Sequence, residues 1–185
     1  MFQIRIHGRG GQGVVTAAEL FSVAAFFDGK YAQAFPSFGS ERMGAPVTAF
    51  CRISNAKIRS HEPVSHPNVV IIQDSTLLLH VDVFSGLSQN GYVLINSTRT
   101  LEALQVEEFC STLPEGHCRV IPVSEIAMQH LGQPFVNTGL VAGFAKLTGS
   151  LSKLSVEKAI QQKFPGHLGN LNAKIVAKVY EQNIG

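Results

Sequence analysis

Residues Gly8 to Gly13, "GRGGQG", stand between an alternating run, "FQIRIH", and a mostly apolar stretch, Val14 to Phe27. No other feature limits the fold as strongly. Alternation of apolar and polar residues marks a strand with two unlike faces. The stretch from Val14 carries only Thr16, Glu19 and Ser22 as a thin polar stripe at helical spacing, so it reads as a helix buried around most of its circumference. Four of the six joining residues are glycine. Glycine tolerates positive φ and has no side chain, so the turn lets something approach the backbone closely. The candidates are a nucleotide phosphate, another chain, or the chain itself.

The remaining chain continues the pattern. Asp28-Gly29 ends the helix with a turn signal, and "KYAQAF" reads as a second strand. "PSFGSERMGAP" then breaks regular structure, and "VTAFCRIS" is strand-like. "NVVIIQD", "GYVLIN" and "CRVIPVS" are short continuous apolar runs, suited to interior parallel strands covered on both faces. The segments between them are long enough for crossover helices. "NTGLVAGFAKLTG" reads as a helix closed by Gly149. Ser155 is the expected cap of a helix carrying Val156, Ala159, Ile160 and Phe164. After Pro165-Gly166, residues Leu171, Ile175, Val176 and Val179 mark a last amphipathic helix. The expected fold is α/β: one domain over residues 1–185, three layers, a mostly parallel sheet with helices on both faces, Rossmann-like.

Composition narrows the function. Charged residues are 15% against a usual share of about 25%, and apolar residues are 45%. Either part of the surface is covered by partner chains or the core is large. The net charge of +2 implies no field for nucleic acid or a membrane surface. No apolar stretch approaches the roughly 18 residues of a membrane span. With strand-like sequence from Phe2, no signal peptide is expected. Cys51, Cys110 and Cys118 are widely spaced, without a C-x-x-C pair, so neither a zinc nor an iron–sulfur site is expected from this chain. A reducing cytoplasm is the expected compartment. Cys51 lies within a strand and reads as packing. His7, His61, His66, His80, His117, His130 and His167 form no metal-spaced cluster and read as surface or core residues.

Gly8, Gly10 and Gly13 satisfy G-x-G-x-x-G in the strand-to-helix context that dinucleotide sites use. Backbone N–H groups and the positive end of the helix dipole would then face an anion. A nicotinamide site also expects an acid at the tip of the second strand, about 20 residues on. That strand ends in Ala34-Phe35-Pro36; Asp28 precedes it and Glu41 lies in the next loop. No Gly-Lys-Ser/Thr follows, so the turn is not a P-loop. A tight turn without a ligand is the other reading. The loop "FPSFGSERMGAPV" (35–47) holds two aromatics and the pair Glu41–Arg42. It is expected at the same sheet edge as the glycine turn, pinned beneath a partner or ligand rather than exposed.

"IRIHGRGGQGVVTAAELF" and "DGKYAQAFPSFGSERMGAPVTAFCRIS", followed in order by "NVVIIQDSTLL" and "NTGLVAGFAKLTG", resemble the gamma subunit of 2-oxoacid:ferredoxin oxidoreductases, in particular the pyruvate type. The resemblance covers almost the whole chain. It implies coenzyme-A-dependent oxidative decarboxylation by a complex with alpha, beta and delta subunits. Thiamine diphosphate and 4Fe-4S clusters would sit in those partners, and electrons would leave for ferredoxin or flavodoxin. The gamma part corresponds to the region that contacts coenzyme A, which contains a nucleotide diphosphate and needs no ribose-binding acid of the NAD kind.

The residues that the resemblance assigns to coenzyme A are Gly8, Gly10, Gly11, Gln12, Gly13 and Val14 of the turn, Arg42 of the middle loop, Asn137, and Asn170 or Asn172, with Asn172 the choice. Simple helix capping is the competing role for the asparagines. No residue reads as a nucleophile or general base. A purely structural subunit and a free-standing NAD-dependent dehydrogenase remain the alternatives.

Overall fold

A computed structural model describes residues 1–37, 42–60 and 62–182. Six strands form one sheet: β1 (Phe2–Arg9), β2 (Tyr31–Pro36), β3 (Pro46–Ser54), β4 (Val69–Ile72), β5 (Tyr92–Asn96) and β6 (Cys118–Ile121). Their spatial order is β2-β3-β1-β4-β5-β6. β1, β4, β5 and β6 run parallel, while β3 lies antiparallel to both β1 and β2. The sheet is mostly parallel, as expected, but β1 and β2 are not neighbours. The loop between β2 and β3 is a hairpin connection rather than the start of a crossover.

The helices are α1 (Val14–Phe27), α2 (Glu107–Ser111), α3 (Val123–Leu131), α4 (Asn137–Thr148), α5 (Lys153–Lys163) and α6 (His167–Glu181), with a 3-10 turn at Ser75–Leu79. The alternation in β1 sends Ile4 and Ile6 into the larger core, where α1, α3, α4, α5 and α6 meet the sheet. Phe21 of α1 and Phe144 of α4 meet edge to face at 4.9 Å in its middle. β4 is apolar on both sides because both sides are covered. Val69 and Ile71 enter this core; Val70 and Ile72 enter a second one with Leu77, Val83 and Leu104.

The second face is covered more thinly than the long connections suggested. Its regular elements are the five-residue 3-10 turn and the five-residue α2. Gly86, Asn90-Gly91, Pro114 and Gly116 interrupt those connections and stop longer helices. On this face Cys110 and Cys118 are joined in a disulfide, with Cα atoms 5.7 Å apart. The reading of widely spaced cysteines in a reducing compartment did not foresee this pair, because pairing depends on α2 packing beside β6. Cys51 is buried and free, as read from its strand position.

The cap of α5 is Ser152, not Ser155. The Ser152 hydroxyl accepts from the Ser155 N–H at 3.1 Å. Asp28, just past α1, accepts from the N–H and hydroxyl of Ser152 at 2.8 and 2.7 Å and from the Ser155 hydroxyl. That long-range carboxylate moved the helix start by three residues. No helix among the described residues is long and apolar enough to cross a membrane.

Candidate functional site

β1 delivers the glycine turn to the carboxyl end of the sheet, and α1 departs from it. Gly11 and Gly13 hold φ of 91° and 71°, values that side-chain-bearing residues adopt only under strain. Gly13 occupies the cap position of α1, no side chain caps that end, and no acid lies in its first turn. The helix therefore starts with N–H groups that no side chain satisfies.

The turn first admits the chain itself. Gly10 N–H donates to the Ala45 carbonyl at 2.9 Å, and Gly44 N–H donates to the Gly10 carbonyl at 3.0 Å. A Cβ on Gly10 would collide with the Arg42 carbonyl. One on Gly8 would lie 2.6 Å from Val14 Cγ2, and one on Gly13 would lie 2.6 Å from Asn137 Nδ2. The middle loop thus meets the turn, as the sequence suggested. Arg42 is exposed; its carbonyl packs against Gly10, while Gly44 and Ala45 make the hydrogen bonds to the turn. Its expected partner Glu41 lies outside the described residues, as does His61.

Asp74 latches the turn to β4. Its Oδ1 accepts from the Thr76 N–H at 3.0 Å and the Thr76 hydroxyl at 2.6 Å. Its Oδ2 accepts from Gln12 Nε2 at 2.8 Å and Arg9 Nε at 3.2 Å. Arg9 also donates to the Gly44 carbonyl at 3.0 Å, so one guanidinium ties strand tip, turn and middle loop. Burial alone would raise the Asp74 carboxyl, but the Thr76 and Gln12 hydrogen bonds and the Arg9 charge hold it below the usual carboxylate range. Sequence reasoning sought an acid at the tip of β2 and passed over this one. It stands at the tip of β4, the parallel neighbour of β1. With both oxygens doubly engaged, it does not fit the role of a ribose acceptor in an NAD site.

A pocket of about 270 Å³ opens on one side of the turn. Gly11, Gln12, Gly13 and Thr16 form one wall; Leu131, Phe135, Phe164 and Leu168 form the apolar remainder. Phe135 and Leu168 are 56% and 48% exposed. Asn137 is here, and capping is not its role: its Oδ1 accepts from Gln73 Nε2 at 3.0 Å. Asn172 lines the same pocket, but both its polar atoms are engaged. Oδ1 accepts from the Thr138 hydroxyl at 2.7 Å, and Nδ2 donates to the Leu168 carbonyl at 2.9 Å. It ties α6 to α4 and shapes the wall. Asn170 is exposed and outside this lining. Val14 is buried behind the turn against Gly8.

A polar cleft of about 390 Å³ lies on the other side, beyond the ends of β4, β5 and β6. Gln12 belongs to both cavities. The cleft was not read from the sequence, although a Ser-Thr pair follows both β4 and β5. Among the described residues no group of His, Cys, Asp or Glu is placed to hold a metal ion. Burial pushes the Cys51 thiol up, so it stays protonated in the core.

The sequence matches the family model for pyruvate ferredoxin/flavodoxin oxidoreductase over residues 3–182. It is 46% identical over 182 residues to a pyruvate synthase subunit PorC of Methanothermobacter marburgensis, covering 98% of this chain and 97% of that one. It is 45% identical over 184 residues to a pyruvate/ketoisovalerate oxidoreductases common subunit gamma of Thermococcus litoralis, covering 100% and 98%. The fold matches the crystal structure of a pyruvate oxidoreductase subunit PORC from Thermotoga maritima with a TM-score of 0.82. Identity there is 32%, with 98% of this chain and 96% of that chain covered.

Proposed function

Since this chain belongs to the pyruvate ferredoxin/flavodoxin oxidoreductase family as a gamma-type subunit, we propose that it supplies part of the coenzyme A site of a cytoplasmic 2-oxoacid:ferredoxin oxidoreductase. The observation that carries this is the uncapped start of α1 opening beside an apolar pocket. Coenzyme A joins a nucleotide diphosphate to a long arm of methyl, methylene and amide groups. The diphosphate suits free N–H groups at a helix start, where the dipole favours negative charge. Leu131, Phe135, Phe164 and Leu168 offer the arm apolar contact, and Asn137 Nδ2 is a donor between the two.

Catalysis is assigned to partners. Thiamine diphosphate would supply carbanion stabilisation at the 2-oxo carbon, and 4Fe-4S clusters would carry electrons to ferredoxin or flavodoxin. Both belong to the alpha, beta and delta subunits on this reading, because a lone buried thiol does not fit cluster ligation. The gamma chain would bind and orient coenzyme A and would not turn over alone. Pyruvate is the proposed 2-oxo acid. The choice of acid falls to other subunits, since the Thermococcus litoralis relative is named as common to pyruvate and ketoisovalerate oxidoreductases.

One observation favours a purely architectural turn: Gly8, Gly10 and Gly13 each face atoms of their own chain. Calorimetric titration of coenzyme A separates the readings, first into the isolated chain and then into the assembled complex. Binding to the chain alone makes the turn and pocket self-sufficient. Binding only in the assembly makes them half of a shared site. Coenzyme A affinity that does not depend on gamma would leave the turn as architecture and sink the proposal.

A further inference from the structure

The disulfide on the thin face has no part in the reading above. Cys118 is the first residue of β6, the edge strand beyond β5, so the bond lies at the opposite end of the sheet from the glycine turn. Cys110 and Cys118 are 8% and 7% exposed and belong to the second core, with Leu104, Val106 and Leu113. Neither belongs to the larger core on the helical side.

Three observations set this bond apart from a purely structural one. The first is access. Both cysteines line a cavity of about 420 Å³. That volume admits a small molecule to the bond. The protruding dithiol of a redox protein would find sulfurs so little exposed out of reach. The second is how little the bond holds. Its cysteines are eight residues apart in sequence, and it secures α2, a helix of five residues. A helix that short is not stable alone. Opening the bond would release residues 107–117 while the larger core stays packed. Phe109 stacks on Phe84 at 4.1 Å and would keep the two cysteines near enough to pair again. The third is the compartment. In the reducing cytoplasm proposed above, disulfides are rare, and those that form are usually transient and catalytic or redox-sensing.

The charges at the cavity select its visitor. Glu107 and Glu115 line it with Arg119 as the cation, and Glu108 adds a carboxylate on α2. The excess of carboxylates disfavours an anionic thiol.

We infer that Cys110 and Cys118 form a thiol-exchange site whose partner is a small neutral or cationic thiol and its disulfide. The thiolate of the small thiol attacks one protein sulfur, the S–S bond breaks, and the other cysteine leaves as a thiolate that takes a proton from water. A second small thiolate attacks the outer sulfur of the mixed disulfide. It departs as the small-molecule disulfide and frees the second protein thiolate, which is protonated in turn. The protein bond is reduced, the small thiol is oxidised, and the reverse sequence restores the bond.

The test uses the full-length chain without denaturant and counts alkylated cysteines by intact mass. The probes are cysteamine and glutathione as thiols, cystamine as a disulfide, and thioredoxin as a protein dithiol. Cysteamine is expected to open the bond, so that Cys110 and Cys118 are alkylated while buried Cys51 is not. Relative to their rates on a free peptide disulfide, cysteamine should outpace anionic glutathione by about threefold or more. Glu115→Gln should narrow that ratio. Hydrogen exchange should rise at 107–117 on reduction and stay unchanged in α1 and α4. In Cys110→Ser, cystamine should leave a mixed disulfide on Cys118. A bond that opens only in denaturant, equal relative rates for the two thiols, or reduction by thioredoxin alone would overturn the inference. So would a Cys110→Ser chain that is folded by circular dichroism yet takes no adduct. The cavity shares no lining residue with the pocket assigned to coenzyme A, so that proposal stands or falls separately.

Discussion

His7 shows how a single buried residue sets a pH dependence. It is 5% exposed, and its Nε2 accepts from Arg5 Nε at 3.1 Å, so the ring is held neutral. Burial, with the Arg5 charge second, pushes it from 6.5 down to about 4. A depressed histidine leaves the unfolded chain binding more protons between those values. Its contribution to stability is complete above pH 6.5 and is lost as pH falls toward 4, by at most roughly 3 kcal/mol. The urea midpoint should therefore fall between pH 7 and pH 5, and His7→Gln should flatten that slope; an unchanged slope would remove His7 as the cause. Thr16 is the residue that separates anion binding from stability. An acid in the first turn of α1 should favour the helix by about 0.3–1 kcal/mol. Thr16→Asp should thus raise the melting temperature while weakening coenzyme A by about tenfold or more through repulsion. Tight binding retained in this variant would argue that the diphosphate lies elsewhere.

At the scale of elements, two junctions carry the architecture. Asp28 fastens the end of α1 to the start of α5 through the Ser152 and Ser155 hydroxyls. Burial works against its charge, but the hydrogen bonds from Ser155 and Ser152, with the Lys30 charge, hold its carboxyl below the usual range. Asp28→Ala should cost about 1–3 kcal/mol and loosen the Ser152 cap of α5. Chemical denaturation reads that loss, and hydrogen exchange should show it concentrated at 152–156. The second junction is α4 against the sheet. A Cβ on Gly143 would lie 2.8 Å from Ile121 Cδ1 and 3.2 Å from Leu94 Cδ2. Alanine there would normally favour a helix, but overpacking should win by about 1–3 kcal/mol. A stabilised Gly143→Ala chain would mean that the β5–β6 side chains yield more easily than close packing allows. The helical reading of "NTGLVAGFAKLTG" was correct from its pattern, but not the reason for its inner glycines. For Gly143 that reason lies on strands β5 and β6, more than twenty residues earlier, and for Gly139 on Val123 of α3 and Ile175 of α6.

For the whole molecule, the chain divides into a thick helical side and a thin loop-built side, and the candidate cavities open at the carboxyl edge between them. The expectation that the complex houses the redox chemistry elsewhere is testable on the purified chain. It should bind no thiamine diphosphate and show no iron–sulfur absorbance after reconstitution with iron and sulfide. Either signal would reassign roles among the subunits.

The sequence by itself determined the strand–turn–helix opening, the buried parallel strands and the neighbourhood of the turn. These follow from local physics: two-residue alternation, unbroken β-branched runs and glycines where the backbone must bend. It placed the middle loop against the turn as well. Only the tertiary structure decided that β3 runs antiparallel between β1 and β2. Only there did Asp74 prove to be the acid beside the turn, its oxygens already engaged. Only there did Asn137 prove to bond Gln73 rather than cap its helix, and only there did Cys110 meet Cys118. Each of these depends on which distant segment arrives as a neighbour. Strand direction, hydrogen-bond partners and cavity walls are set by packing between segments, and local residue patterns carry little of that information.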